Sequence, residues 1–193
     1  ATIIEGSSGT FVNLSVENVQ AVIGAALYIA TDSIVAFNNT IIKGIQSEVS
    51  AVYISNSTVA IQDMVLSMSS GGSIFSVTSS DFKADNLTID SSSCEIQASA
   101  CGVDIFDSTE VQISRFVAKN VSSEGKTGVL NLNQSQVIIS ESALSDIYSA
   151  NYASCMMMTN ANVSIASSTF TRSVGGCIAA KGGNNYLVIT DSN

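Results

Sequence analysis

Apolar residues recur along this chain in three-residue phrases whose first and third positions are hydrophobic. Alternation with period two is the pattern of a short β-strand with one buried face. The phrases start roughly every 23 to 29 residues, a period typical of stacked repeats. The eight phrases are Val12-Asn13-Leu14, Val35-Ala36-Phe37, Val59-Ala60-Ile61, Phe82-Lys83-Ala84, Val111-Gln112-Ile113, Val137-Ile138-Ile139, Val163-Ser164-Ile165 and Leu187-Val188-Ile189.

Two further sets of positions repeat with the same period. The residue seven after each start is apolar in every complete unit, namely Val19, Ile42, Leu66, Ile89, Ala118, Leu144 and Phe170. A second phrase precedes each start by about eight residues. It runs through Leu27-Tyr28-Ile29, Val52-Tyr53-Ile54, Ile74-Phe75, Val103-Asp104-Ile105, Val129-Leu130, Met156-Met157-Met158 and Ile178-Ala179-Ala180. Each repeat therefore supplies two or three short strands.

The repeat predicts an all-β fold, a right-handed parallel β-helix (solenoid) of about seven to eight coils. Consecutive coils would lie one strand spacing apart, roughly 4.8 Å, with like residues stacked on like. We predict a single domain over residues 1–193, either a mature form or an excerpt of a longer chain. A β-sandwich or barrel is the alternative.

Composition narrows the possible functions. The net charge is −9, and histidine is absent. An acidic surface argues against nucleic acid as a partner, because phosphate binding needs a basic footprint. No apolar run reaches membrane-spanning length. Without histidine a Ser-His-Asp or Cys-His centre is excluded, and a zinc site has little support, so we expect no cofactor.

Seven N-x-Ser/Thr sequons lie outside the inward positions of the repeat: Asn13, Asn38, Asn56, Asn86, Asn120, Asn133 and Asn162. Most fall at strand ends or turns, where a glycan has room. The alternative is that asparagine occupies turns because it tolerates left-handed backbone. We favour N-glycosylation at several of these sites, which implies a secreted eukaryotic protein.

The four cysteines also fit an oxidising compartment. Cys94 and Cys101 bracket a short loop in the longest unit, whereas Cys155 and Cys177 occupy equivalent repeat positions one residue before the second phrase. Stacked equivalents would lie about 5 Å apart, within disulfide reach. We predict disulfides Cys94–Cys101 and Cys155–Cys177; four buried free thiols in a reducing cell are the alternative.

The repeat pattern resembles the pectin-lyase-like superfamily of right-handed parallel β-helices. The stretch from Ala51 to Ile61 also resembles repeats of adhesin-type surface β-helix proteins such as polymorphic outer-membrane proteins. The resemblance to enzymes of the superfamily would imply polysaccharide cleavage, but the Asn-Thr-Asp, Asp-Asp and Gly-His-Gly motifs of its polygalacturonase-like hydrolases are absent. Candidate acid–base carboxylates are limited to Asp104 with Asp107 and Asp63 with Asp85, near Arg115. We expect no enzymatic activity.

The outward middle position of the second phrase forms a largely apolar stripe that a soluble monomer rarely exposes. It reads Tyr28, Tyr53, Phe75, Asp104, Leu130, Met157 and Ala179. We predict that Tyr28, Tyr53, Phe75, Leu130 and Met157 form a lateral interface or a sugar-stacking surface; the alternative is that the chain's own loops cover them.

Neither end of the repeat shows an amphipathic capping helix, and uncapped solenoid ends favour pairing with a neighbouring strand edge. The leading hypothesis is a structural subunit of a secreted, N-glycosylated extracellular filament or surface coat, assembling head to tail with copies of itself. The other hypotheses are a surface adhesin or carbohydrate-binding module, and a polysaccharide lyase or hydrolase.

Overall fold

The computed structural model describes residues 2–67, 69–95 and 100–193, except for the side chain of Tyr152. Over these ranges the chain consists of β-strands and turns, without a helix. The strands are β1 Thr2–Glu5, β2 Ser8–Val12, β3 Ser15–Glu17, β4 Gln20–Ala30, β5 Ile34–Lys43, β6 Gln46–Ser55, β7 Thr58–Ser67, β8 Ser70–Thr78, β9 Asp81–Cys94, β10 Val103–Phe106, β11 Val111–Ser114, β12 Val117–Ser123, β13 Leu130–Asn133, β14 Gln136–Ser140, β15 Ala143–Thr159, β16 Asn162–Ala166, β17 Thr169–Lys181 and β18 Tyr186–Thr190.

The strand pairings of the described residues are parallel and link a strand to its equivalent one coil earlier or later along the chain. We call the stacked equivalent residues a column. The first face of each coil is formed by β2, β11, β14, β16, β18 and the first halves of β5, β7 and β9, which pair in one continuous series. The fold is therefore a parallel β-solenoid of about seven turns. The prediction of an all-β solenoid is confirmed, and the sandwich or barrel alternative is wrong.

The predicted inward positions form the core along most of the rod. First-phrase residues such as Val59, Ile61 and Phe82 are buried, and so are Ile42 and Leu66 seven positions after their starts. After the first face each coil continues through a second face, which carries Ile42 and Leu66. The second phrase forms the third face, where Leu27 pairs with Val52 and Ile29 with Ile54. Because each coil buries its apolar residues only against its neighbours, stability is the sum of many similar interfaces.

The first coil differs from the prediction. Val35 pairs with Gly9 and Phe37 with Phe11, so the first phrase is Gly9-Thr10-Phe11 rather than Val12-Asn13-Leu14. Val12 points outward and is 59% exposed. The predicted phrase was three residues too late because Gly9 contributes no apolar side chain to the alternation. The same shift puts Val16, not Val19, in the column of Ile42.

The corners of each coil turn at residues in the left-handed backbone conformation. At the corner after the first face, all eight residues have φ between 49° and 57°: Asn13, Asn39, Asp63, Asn86, Arg115, Glu141, Ser167 and Asp191. This conformation is unfavourable for most L-residues and best tolerated by Gly, Asn and Asp. Similar left-handed residues recur at the other two corners, for example Asn120 and Asp107. The repeated corner keeps successive coils in register.

A ladder of buried serines runs along the corner before the first face. The backbone N–H of Ser57 donates to Ser80 Oγ at 3.1 Å, and that of Ser80 donates to Ser108 Oγ at 3.2 Å. The Ser80 hydroxyl in turn donates to the carbonyl of Thr78 at 2.7 Å. The ladder contains Ser33, Ser57, Ser80, Ser108 and Ser135. Each hydroxyl thus pairs a backbone N–H that would otherwise be buried without an acceptor.

The ladder predicts that Ser80→Ala lowers the free energy of unfolding by about 1–3 kcal/mol, because the Ser57 N–H loses its acceptor while it stays buried. Urea denaturation followed by circular dichroism measures the change. Ser93→Ala is the matched control, since Ser93 is exposed, and should stay within about 0.5 kcal/mol of the parent. Equal effects of the two variants would contradict this role for the ladder.

Candidate functional site

Two tyrosines of the predicted stripe form a stacked pair on the third face. Tyr28 and Tyr53 occupy the same column on consecutive coils, and their ring centroids lie 5.1 Å apart with planes 14° from parallel. Both are half-buried. Ile3 precedes Tyr28 in the column and is exposed. The two rings and Ile3 form a small apolar surface at the outside of the first three coils.

The predicted stripe is wrong at Phe75 and Leu130, which are fully buried core residues. Phe75 pairs with Val52 and Val103, so it occupies the inward first position of its phrase. The outward residue of that coil is Ser76. The correct triplets, with inward first and third residues and an outward middle residue, are Phe75-Ser76-Val77 and Leu130-Asn131-Leu132. The rule used for the first phrase, which requires apolar residues at the first and third positions, would have identified both.

The remainder of the outward column is polar or covered. Asn131 Nδ2 donates to Asp104 Oδ1 at 2.8 Å on the preceding coil. Met157, in the next coil, lies in the column but is only 7% exposed. The stripe is therefore interrupted after Tyr53 and does not form a continuous apolar surface along the rod.

The sequon asparagines lie at the corners or beside them. Asn133 is half-buried and the other six are exposed: Asn13, Asn38, Asn56, Asn86, Asn120 and Asn162. Four of the seven, Asn13, Asn56, Asn86 and Asn120, have φ between 45° and 57°. The exposed positions leave room for glycans, while the left-handed turns independently favour asparagine. These positions therefore suit both a glycan and a left-handed turn.

The two cysteine pairs differ. Cys94 and Cys101 are joined in a disulfide, with Cα atoms 5.3 Å apart. Cys155 and Cys177 are free thiols in this structure, held on consecutive coils next to the paired Met156 and Ile178. Hydrogen bonding from the Cys177 thiol lowers the pKa of Cys155 to about 7, and the same contact raises the pKa of Cys177. Stacking of this pair agrees with the repeat, and the Cys155–Cys177 bridge stays a prediction for the oxidised protein.

The candidate acid–base carboxylates near Arg115 are held in hydrogen bonds. Arg115 Nε donates to Asp85 Oδ1 at 2.8 Å, and a second guanidinium nitrogen contacts Asp85 Oδ2. Ser114 Oγ also donates to Asp85. The hydrogen bonds from Arg115, and to a smaller extent from Ser114, lower the pKa of Asp85 below its ordinary value. Asp63 accepts from Asn86 Nδ2 at 2.6 Å. A general acid needs a raised pKa, so Asp85 is a structural ion-pair partner in this arrangement.

The first face carries two shallow grooves that meet at Gln112. One, of about 510 Å³, is lined by side chains including Asn38, Gln62 and Lys83. The other, of about 310 Å³, includes Asn162 among its lining residues. Amides and hydroxyls share both linings with apolar side chains such as Phe37 and Ile138. Within the described ranges, no group of three or more His, Cys, Asp or Glu side chains could hold a metal ion.

The last coil exposes residues that other coils bury. Leu187 and Ile189 in β18 occupy the inward columns of Val163 and Ile165, which are 2% and 0% exposed. Leu187 and Ile189 are 39% and 47% exposed. The outer side of this coil therefore presents both apolar core side chains and a strand edge.

Comparisons with known proteins add no family assignment. The chain matches no protein-family model, and no similarity to a curated protein is found. In the part of the chain that the structure covers, no helix has the length and apolar character needed to cross a membrane. The proposed function therefore depends on the geometry of the solenoid.

Disulfide mapping tests the second cysteine pair. In protein secreted from eukaryotic cells, we predict a Cys155–Cys177 disulfide, because the thiols already stack. Closing a loop of roughly 22 residues would stabilise the fold by about 3 kcal/mol in the chain-entropy description. Non-reducing peptide mapping after thiol alkylation measures the bridge, with Cys155→Ser/Cys177→Ser as the control. Alkylated Cys155 and Cys177 alongside an intact Cys94–Cys101 bridge would contradict the prediction.

Proposed function

We propose that this chain is a non-enzymatic structural subunit of an extracellular filament or surface coat, secreted and N-glycosylated, whose copies assemble end to end. The observation that supports the proposal is the uniform coil surface, since each coil pairs strand to strand with the next one and buries its apolar side chains against it. A parallel solenoid has the same cross-section along its length. A coil stacked on β18 would bury Leu187 and Ile189 in the same way, and in this proposal a second copy supplies that coil.

The first coil offers the complementary surface. In β2 and the turn that follows, Phe11 and Leu14 are only half-buried, although they occupy inward columns. Strand edges of this kind favour pairing with another chain. Because the two surfaces belong to opposite ends of one solenoid, their contact is heterologous, and repetition without ring closure produces a filament.

The surface chemistry supports an extracellular location. The Cys94–Cys101 disulfide is typical of an oxidising compartment. Six exposed sequon asparagines provide attachment sites at or beside the corners. Glycans there would project away from the rod, and the end surfaces would stay open to stacking except near Asn13.

The Tyr28–Tyr53 pair favours a second candidate, a surface adhesin or carbohydrate-binding module. Two stacked rings at a solvent-facing position provide an apolar platform of the kind that packs against the faces of sugars. The platform is short, because Ser76 follows it in the column. We rank it second for that reason.

End-to-end assembly predicts that the purified 193-residue protein forms linear particles in negative-stain electron microscopy. Ile189→Lys should shorten them strongly, since a buried, unpaired charge at the junction is costly. Thr190→Lys is the matched control, because Thr190 is exposed on the outward side of the same strand, and it should assemble normally. Tyr53→Ala should also assemble. Dispersed monomers of the parent protein under native conditions would contradict the proposal.

N-glycosylation predicts a lower mass after enzymatic glycan removal from protein secreted by eukaryotic cells. Thr58→Ala eliminates the sequon at Asn56 without changing the asparagine, and should reduce the original mass by one glycan. Thr169→Ala, at an exposed threonine outside any sequon, is the control and should not. An unchanged mass after glycan removal would contradict glycosylation.

A further inference from the structure

The exposed aromatic side chains of this chain lie beside sequons. Among the side chains that the structure describes, three aromatic rings are exposed: Phe106, Tyr148 and Tyr186. A single exposed ring is ordinary on a protein surface, but the positions of these three are related. Tyr148 pairs with Ser122 of the neighbouring coil, and Ser122 is the third residue of the Asn120 sequon.

Each of the other two rings has a sequon asparagine as its column partner. Tyr186 in β18 pairs with Asn162 in β16, and Phe106 in β10 pairs with Asn133 in β13. Column partners lie one strand spacing apart, roughly 4.8 Å. The ring and the asparagine therefore lie side by side on consecutive coils.

Columns turn the faces of planar side chains toward each other. The rings of Tyr28 and Tyr53 are 14° from parallel with centroids 5.1 Å apart, and those of Phe11 and Phe37 are 17° from parallel at 5.3 Å. Both pairs are column partners. An aromatic residue in such a column thus presents its flat face to the group that extends from its partner. A sugar linked to Nδ2 of an asparagine partner would extend over that face.

The groove at Asn162 has the size and the lining to hold such a sugar. Its volume of about 310 Å³ lies at the lower end of small-molecule sites, and its lining includes Asn162, Tyr186, Gln136 and Ile138. Gln136 is the column partner of Asn162 on the side opposite Tyr186. The groove therefore offers a ring and an amide on either side of the attachment point. This combination suits N-acetylglucosamine, whose C–H face packs on a ring and whose acetamido group forms hydrogen bonds with an amide.

We propose that Tyr186 and Phe106 are packing surfaces for the chain's own N-glycans, with the first N-acetylglucosamine on Asn162 lying against Tyr186 and that on Asn133 against Phe106. This inference rests on the proposed N-glycosylation and adds which two glycans are held against the rod. Covering each ring with a sugar removes apolar surface from water. The contact uses the side of the ring that faces the asparagine, within the stack of coils, and later sugars extend into solvent.

Nuclear magnetic resonance tests the contact at Asn162 directly. The protein is secreted from eukaryotic cells, and an endoglycosidase trims its glycans to the first sugar. We expect nuclear Overhauser effects between the Tyr186 ring and the protons of this sugar. Ser164→Ala removes the sequon while keeping Asn162, and Tyr186→Leu removes the ring; either variant should lose these signals.

Hydrogen exchange measures whether glycan and ring are energetically coupled. With Tyr186 present, the glycan at Asn162 should slow amide exchange in β16 and β18 about three- to tenfold, which corresponds to the energy of a packed aromatic contact. In the Tyr186→Leu background, Ser164→Ala should change the exchange by less than about twofold. Tyr186→Phe keeps the ring and should keep the full effect.

Phe106→Leu and Asn133→Gln form the second cycle, read in β10 and β13. Asn133→Gln is chosen because Ser135 belongs to the buried serine ladder, so its replacement would have an effect of its own. The control is the glycan at Asn86, where Nδ2 contacts Asp63 of the preceding coil. Thr88→Ala removes that sequon and should change exchange in β7 and β9 by less than about twofold.

Glycopeptide mass spectrometry separates the outcomes. Occupied Asn162 and Asn133 without ring contacts, or with equal glycan effects in the presence and absence of the rings, would overturn the packing and leave N-glycosylation standing. Absence of glycan from both asparagines would also overturn the packing. Absence of glycan from all seven sequons would overturn N-glycosylation as well. A circular dichroism spectrum unchanged in the variants establishes that they are folded.

Discussion

In-register stacking of each coil on the next is the constraint on which the rest of this structure depends. Parallel strands pair by backbone hydrogen bonds between equivalent residues, and a left-handed residue at the same corner of every coil keeps the equivalence. The corner has a conformational cost at residues such as Arg115 and Glu141, which lack the tolerance of Asn or Gly. The hydrogen bonds and core contacts of both neighbouring coils offset this cost.

The same constraint organises the polar groups. Ser57, Ser80 and Ser108 form a buried ladder because equivalent hydroxyls and N–H groups face each other one strand spacing apart. Ion pairs such as Lys43–Glu17 follow the columns for the same reason. Adjacent coil surfaces within the chain therefore present matching donors, acceptors and apolar side chains to each other.

Sequence alternation was sufficient to predict the solenoid and its core wherever inward residues are bulky. It failed at Gly9, where the inward position has no side chain, and Val12 supplied a false start three residues later. It failed again at Phe75 and Leu130. Each of these residues follows another apolar residue, so the alternation does not show which of the two points inward until the third residue of the triplet is included. The serine ladder was visible in the sequence as a serine two or three residues before five of the eight first phrases, from Ser33 to Ser135. Only strand pairing, however, distinguishes a buried hydroxyl from one in a solvated turn.

We propose that copies of this chain stack end to end, and fibre diffraction from aligned filaments tests this proposal most directly. Eight stacked strands of the first face at roughly 4.8 Å each give an axial repeat of about 38 Å per copy. Continuous stacking predicts a strong meridional reflection near 4.8 Å together with orders of this 38 Å repeat. An axial repeat of a different length, or a strand spacing perpendicular to the filament axis, would contradict the account.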